Sequence, residues 1–157
     1  MSSATPATRF LSQNKIAFDT LEYDYAPGSD RVGLQAADAL GASAAQVFKT
    51  LMLEVDGKPA CVIIPSDQTV SMKKAAAAFG GKSAKMMPPD KAERLTGYHT
   101  GGISPFGQKR RIPVAIHDAA ELAHPVVING GKRGFMLRLN LPEAAKTLKA
   151  IHAALCA

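Results

Sequence analysis

Three stretches carry residues whose types and spacing suit chemistry on an anionic or ester-bearing ligand. TGYHTGGISPFGQKRR, residues 96–111, is rich in glycine and basic side chains and offers little to fill a core. Gly101 and Gly102 lack side chains, so their amides can approach a ligand closely. Pro105 stiffens the second half of the stretch. Such a loop either presents N–H groups to an anion or a carbonyl oxygen, or is a long surface turn with a solvated basic end. The GxxxxGK[ST] order of a P-loop is absent. Lys49 opens the apolar stretch TLMLEV. It either snorkels outward or points its ammonium into a cleft beside the glycine loop, to hold a phosphate or polarise an ester carbonyl. NGGKRG, residues 129–134, is first of all a hairpin turn between two apolar runs. Lys132 and Arg133 make it a candidate phosphate contact as well.

Other constellations offer less. His99, His117, His124 and His152 show no metal spacing. GxSxG and GxGxxG are absent, so neither a serine hydrolase elbow nor a dinucleotide fingerprint is present. Cys61 lies in the apolar run ACVIIP and Cys156 near the end, neither with a CxxC partner. Lys73, Lys74, Lys82 and Lys85 form a basic, solvated helix face that can also track a nucleic-acid backbone. The chain has 19 Lys+Arg against 13 Asp+Glu, a formal charge of +6. That surplus suits an anionic partner, with nucleic acid foremost. No basic recognition helix stands out, so specific duplex DNA is not the expected partner. The N-terminal segment lacks the pattern of a signal peptide, and no apolar run reaches the roughly 20 residues of a membrane span. A cytoplasmic protein without membrane contact is expected.

The elements that must position these groups are legible in outline. The chain's 157 residues suit one domain, 1–157. Thr5 and Pro6 start a helix. Residues 18–25 alternate as a half-buried strand with Leu21, Tyr23 and Tyr25 on one face; PGSD breaks it. GLQAADALGAS reads as a short helix ended by Gly41, and Ser43 caps another through Val47. KTLMLEV-DG-KPACVIIP is a hairpin. Ser71 caps an alanine-rich helix ended by Gly80 and Gly81. A short strand lies near residues 85–87, then a helix from PPDKAERLTG. PVAIH, PVVIN and GFMLRLNL read as strands, with a helical turn at DAAEL. Asn140 caps a last helix whose apolar face is Leu148, Ile151 and Leu155, with His152 solvated on it. Hairpins mixed with helices argue an α+β fold with a mixed sheet.

These pieces together resemble the YbaK-like (EbsC) family, free-standing bacterial editing enzymes of the prolyl-tRNA synthetase insertion-domain superfamily. VFKTL (47–51), TGYHTGGISPFGQKRR and GGKRG occur in the family's order and spacing, and the likeness covers essentially the whole chain. It implies a mixed β-sheet curled toward a barrel and flanked by helices. It implies trans-editing: hydrolysis of mischarged aminoacyl-tRNA, Cys-tRNA(Pro) foremost, without cofactor or metal. The partner is then tRNA(Pro), with prolyl-tRNA synthetase admitted as a second. By resemblance the catalytic residues are Lys49, Gly101 and Gly102. The substrate-binding set is Tyr23, Thr50, Ile103, Ser104, Pro105, Asn129, Gly130 and Gly131. Lys109, Arg110, Arg111, Lys132 and Arg133 contact the tRNA backbone. Two positions depart from the family pattern: Asn129 stands where YbaK has serine, and Met136 where it has aspartate. The departures leave amino-acid specificity open.

An aminoacyl ester is already activated, so a catalyst mainly positions it and stabilises the oxyanion. The resemblance adds that a cysteinyl group can attack its own ester and leave as a thiolactone. If water attacks instead, Thr50 and Asn129 are the polar residues that can orient it. A tRNA-binding module without catalysis, partnering a synthetase, is the alternative.

Overall fold

Thr5 starts the first helix by closing a reciprocal cap. Its Oγ1 accepts from the Thr8 amide at 3.1 Å, and the Thr8 hydroxyl accepts from the Thr5 amide at 2.8 Å. With Pro6 at the first position, these fix the start of α1 (Pro6–Gln13). The computed structural model describes residues 4–25 and 32–157. β1 (Phe18–Glu22) is shorter than expected: it ends before Tyr23, whose amide donates to the Gly134 carbonyl. The PGSD break lies outside the described residues. α2 (Val32–Leu40) comes next, ended by Gly41 at φ +66°. The expected helix from Ser43 to Val47 is instead a turn. Val47 bridges to Val127 and accepts from the Ser66 amide, which holds it extended.

The strongest local signal is Asp56-Gly57. Both residues take positive φ, +49° and +80°, as a two-residue hairpin turn requires. They join β2 (Phe48–Val55) to β3 (Lys58–Pro65) in full antiparallel register. Ser71 caps α3 (Met72–Ala78) by accepting from the Lys74 amide. β4 (Ala84–Met86) pairs with the far end of β2. α4 (Pro89–Thr96) ends on Gly97 in the left-handed region, φ +82°. β5 (Val114–His117), a short 3-10 turn at Ala120–Ala123, β6 (Val126–Lys132) and β7 (Phe135–Leu139) complete the middle of the chain. Asn140 caps α5 (Leu141–Lys146) by accepting from the Glu143 amide.

The C-terminal expectation fails in an informative way. α5 stops at Lys146, and residues 151–153 form β8 (Ile151–Ala153), parallel to β5. Leu155 is fully buried, but Ile151 is 42% exposed and His152 lies on the strand. The open edge of β5 recruits these residues; their apolar spacing alone does not show that demand.

The strands form two sheets, β4-β2-β3-β5-β8 and β1-β7-β6. β3–β5 and β5–β8 are parallel and the other pairs antiparallel, so the sheet is mixed as expected. It is not closed into a barrel. One parallel bridge, Val47 to Val127, links β2 to β6. From Leu53 onward the same edge of β2 is taken by β4. Between those two points the Met52 carbonyl still accepts from the Met87 amide at 3.0 Å, whereas residues 48–51 have no ladder partner on that edge among the described residues, and the sheets part. The main core, with Phe48, Ile63, Phe106 and Phe135, fills the space behind this seam. Phe106 and Tyr98 correct the reading that residues 96–111 offer little to a core: they are 0% and 4% exposed. No helix among the described residues is long and apolar enough to cross a membrane.

Candidate active site

The seam between the sheets is a cavity of about 250 Å³. The unpaired stretch of β2 forms one wall, the β4–α4 junction another. The glycine loop closes it, and Asn129 and Met136 of the β6–β7 hairpin face it. Lys49, Thr50, Gly101, Ile103 and Asn129, all anticipated from sequence, line this one space. Lys49 is half-buried there. Thr50 Oγ1 is buried and has no hydrogen-bond partner among the described residues, and Tyr23 Oη shares that state. Burial first, then the neighbouring Tyr25, pushes the Tyr23 hydroxyl above its ordinary pKa.

The loop that carries Gly101 is clamped from two elements. From α4, the Glu93 carboxylate accepts from the Thr100 amide at 2.7 Å. From the β6–β7 turn, Arg133 Nε donates to the Thr100 carbonyl at 2.7 Å. The Arg133 guanidinium also lies over the Tyr25 ring, 5.4 Å from its centre. The Thr100 hydrogen bonds hold the Glu93 carboxyl below the usual glutamate value. Asn129 ties loop to turn: its Oδ1 accepts from the Gly131 amide at 2.7 Å, and its Nδ2 reaches the carbonyls of Lys132 at 3.3 Å and Gly101 at 3.4 Å.

Each glycine of the pair is required for its own reason. Gly101 sits at φ +91°, where L side chains are strained. Gly102 lies against the hairpin turn: a Cβ there would stand 2.7 Å from the Arg133 nitrogen and the Lys132 carbonyl carbon. Its amide donates to the His99 carbonyl at 2.8 Å, and it does not line the cavity. Among the described residues, nothing accepts from the Gly101 amide.

The remaining expected residues sit around the cavity rather than on it. Ser104 is fully buried, its Oγ accepting from the Phe106 amide at 3.2 Å. Pro105 faces a second groove shared with Phe10 and Leu148, whose rim carries Lys109, Arg110 and Arg111. The Gly130 carbonyl accepts from Thr5 Oγ1 at 2.6 Å, tying the α1 cap to the hairpin, and Gly131 faces Tyr98. Tyr23 packs beside Met136 and Val47. Lys132 covers the Phe135 ring at 5.3 Å. Cys61 is fully buried, with its thiol pushed up to about 12 by that burial, and Cys156 is buried too. Neither lines the cavity.

Sequence reasoning missed two groups. Glu93 lies in the helix read from PPDKAERLTG and Thr100 in the glycine-rich stretch, neither was singled out, and only the folded loop brings them together. Met52, Met86 and Met87 line the cavity with Met136, so four of the six methionines in the chain meet there. The Met86-Met87 pair ahead of two prolines was the available signal.

The chain is similar to known tRNA-editing proteins. The model of the aminoacyl-tRNA editing domain family matches residues 31–147. EbsC of Enterococcus faecalis, a candidate Cys-tRNA(Pro)/Cys-tRNA(Cys) deacylase, is 34% identical over 147 residues, 92% of this chain and 87% of that protein. Proline–tRNA ligase of Acidithiobacillus ferrooxidans is 31% identical over 99 residues, 62% of this chain and 17% of the ligase. The crystal structure of a candidate trans-editing enzyme for prolyl-tRNA synthetase shares the fold, with a TM-score of 0.82 at 24% identity over 99% of both chains.

Proposed function

The chain belongs to the aminoacyl-tRNA editing domain family, and from that premise we propose that it is a single-domain, free-standing deacylase of mischarged tRNA, with Cys-tRNA(Pro) its leading substrate. The observation that carries this reading is the convergence of Lys49 and Gly101 on one cavity of about 250 Å³. The aminoacyl ester needs no strong nucleophile, only placement and a home for the oxyanion. The Lys49 ammonium offsets negative charge on the ester or the adjacent phosphate. The Gly101 amide meets the carbonyl oxygen. Gly102 acts from behind, keeping the loop close to the turn, and Ser104, Pro105, Gly130 and Gly131 shape the same loop and turn. Tyr23 sits beside the Met136 wall. Lys109, Arg110, Arg111 and Lys132 are exposed cations suited to the tRNA backbone.

The walls favour a small apolar or sulfur-bearing aminoacyl group. Thioethers are polarisable and adaptable, so Met52, Met86, Met87 and Met136 accept several such side chains rather than one. Water, oriented by Thr50 or Asn129, and the substrate's own thiol are the two nucleophiles the site accommodates. The reaction belongs in the cytoplasm, where charged tRNA is made, with prolyl-tRNA synthetase as a natural supplier.

A panel of mischarged tRNAs tests this reading. Cys-tRNA(Pro) loses its amino acid in the presence of the wild-type protein, and Lys49→Ala removes most of that activity while the thermal melt stays intact. Absence of turnover with every aminoacyl-tRNA would leave only a tRNA-binding module. Full turnover by Lys49→Ala would remove Lys49 from the mechanism. Ser-tRNA reacting as fast as Cys-tRNA identifies water as the nucleophile; far slower reaction identifies the thiol.

A further inference from the structure

Arg133 has the composition of a phosphate contact and the placement of something else. Its Nε is already bonded to the Thr100 carbonyl at 2.7 Å, and its guanidinium lies over the Tyr25 ring. The Thr100 carbonyl belongs to the same peptide unit as the Gly101 N–H. A cation bonded at the oxygen end of a peptide draws electron density from its nitrogen, which strengthens the N–H as a donor. That N–H has no acceptor among the described residues, and Gly101 lines the cavity. The flanking atoms hold this peptide in one orientation. Glu93 grips the Thr100 amide, Asn129 reaches the Gly101 carbonyl, and Gly102 is pinned against the Lys132–Arg133 backbone.

Resting on the deacylase reading, we infer that Arg133 is a positioning residue which orients and polarises the Thr100–Gly101 peptide so that the Gly101 N–H serves as the oxyanion donor. It acts through the peptide and touches neither the tRNA phosphates nor the ester. Its neighbour Lys132 remains the backbone contact of the turn. Lysine cannot replace Arg133 in this role. A single ammonium lacks the planar fork that stacks on Tyr25 while an N–H of the same group meets the carbonyl.

The test compares Arg133→Lys, Arg133→Ala and Lys132→Ala in deacylation of the substrate found by the tRNA panel, with kcat and KM measured across salt concentrations. Both Arg133 variants lower kcat about 10- to 100-fold, the range expected for a misplaced or weakened oxyanion donor, with KM and its salt dependence unchanged. Lys132→Ala raises KM and reduces the salt slope by about one. Arg133→Lys with near-wild-type kcat, or Arg133→Ala with a raised KM and a lowered slope, overturns the inference and makes Arg133 a phosphate contact. A second readout is independent of activity. In the amide NMR spectrum of the free protein, Arg133→Lys moves the Gly101 proton resonance while the core amides stay in place. An unmoved Gly101 resonance overturns the inference even if no tRNA is hydrolysed, so its failure is distinct from failure of the deacylase reading.

Discussion

Gly102→Ala adds a single methyl group at the back of the glycine loop. Its Cβ would lie 2.7 Å from the Arg133 nitrogen and the Lys132 carbonyl carbon and 2.8 Å from the Lys132 Cα. All three are backbone atoms, so no side chain can swing aside. Favourable contact begins near 3.5 Å, so loop and turn must separate by about 0.8 Å. Overpacking of this kind costs about 1–3 kcal/mol. For a chain of this length, each kcal/mol lowers Tm by about 2–4 °C, which gives a fall of about 2–12 °C. The separation moves Gly101 by a comparable distance away from the ester, and misplacement of about 1 Å costs roughly 100-fold in rate. Gly102 does not have a positive φ, so the effect is steric and not a matter of backbone preference. Thermal melts and single-turnover deacylation measure both quantities. A variant with wild-type Tm and rate would show that the loop does not rest on the turn, and the account of the clamp would fall with it.

Two further perturbations probe the same site. Thr50→Val removes a buried hydroxyl that has no partner among the described residues. Tm should hold or rise, while kcat/KM falls about tenfold, the value of one ligand hydrogen bond; unchanged kcat/KM takes the hydroxyl out of the site. Glu93 has a depressed carboxyl pKa in the fold, so its contribution is present above the ordinary glutamate value of 4.5 and is lost as pH falls through the lowered folded value. Wild type should therefore melt above Glu93→Gln at neutral pH, and the difference should vanish on acidification below the ordinary carboxylate range. A difference that persists in acid would assign the stabilisation to something other than the ionised Thr100 contact.

What the sequence disclosed was local chemistry. Thr5, Ser71 and Asn140 announced helix starts because a cap acts within three residues, and Asp56-Gly57 announced its hairpin because the turn dictates the residues. Lys49 and Gly101 were each ambiguous alone; their meeting depends on β2 and the loop converging across a seam, which the residues left as one of two readings and the family resemblance favoured. The parting of the sheets was hidden because it depends on which strand claims the edge of β2. The grip of Glu93 and Arg133 on Thr100 was hidden for a related reason. It joins a helix, a loop and a turn that no periodicity connects. Charge is visible in a sequence and a bonded carbonyl is not, so the hold of Arg133 on Thr100 could not be read there.

The late strand β8 also has a bearing on how the chain can be handled. Residues 151–153 cover β5, Leu155 is buried, and the Ala157 amide donates to the Thr69 carbonyl at 2.8 Å. A version cut after Ala150 would present β5, three of whose four residues are buried, as an open template for strands of neighbouring molecules. Such a truncation should precipitate or form fibrils before it loses the cavity lined by Lys49 and Gly101, so the last few residues guard solubility from the far end of the larger sheet.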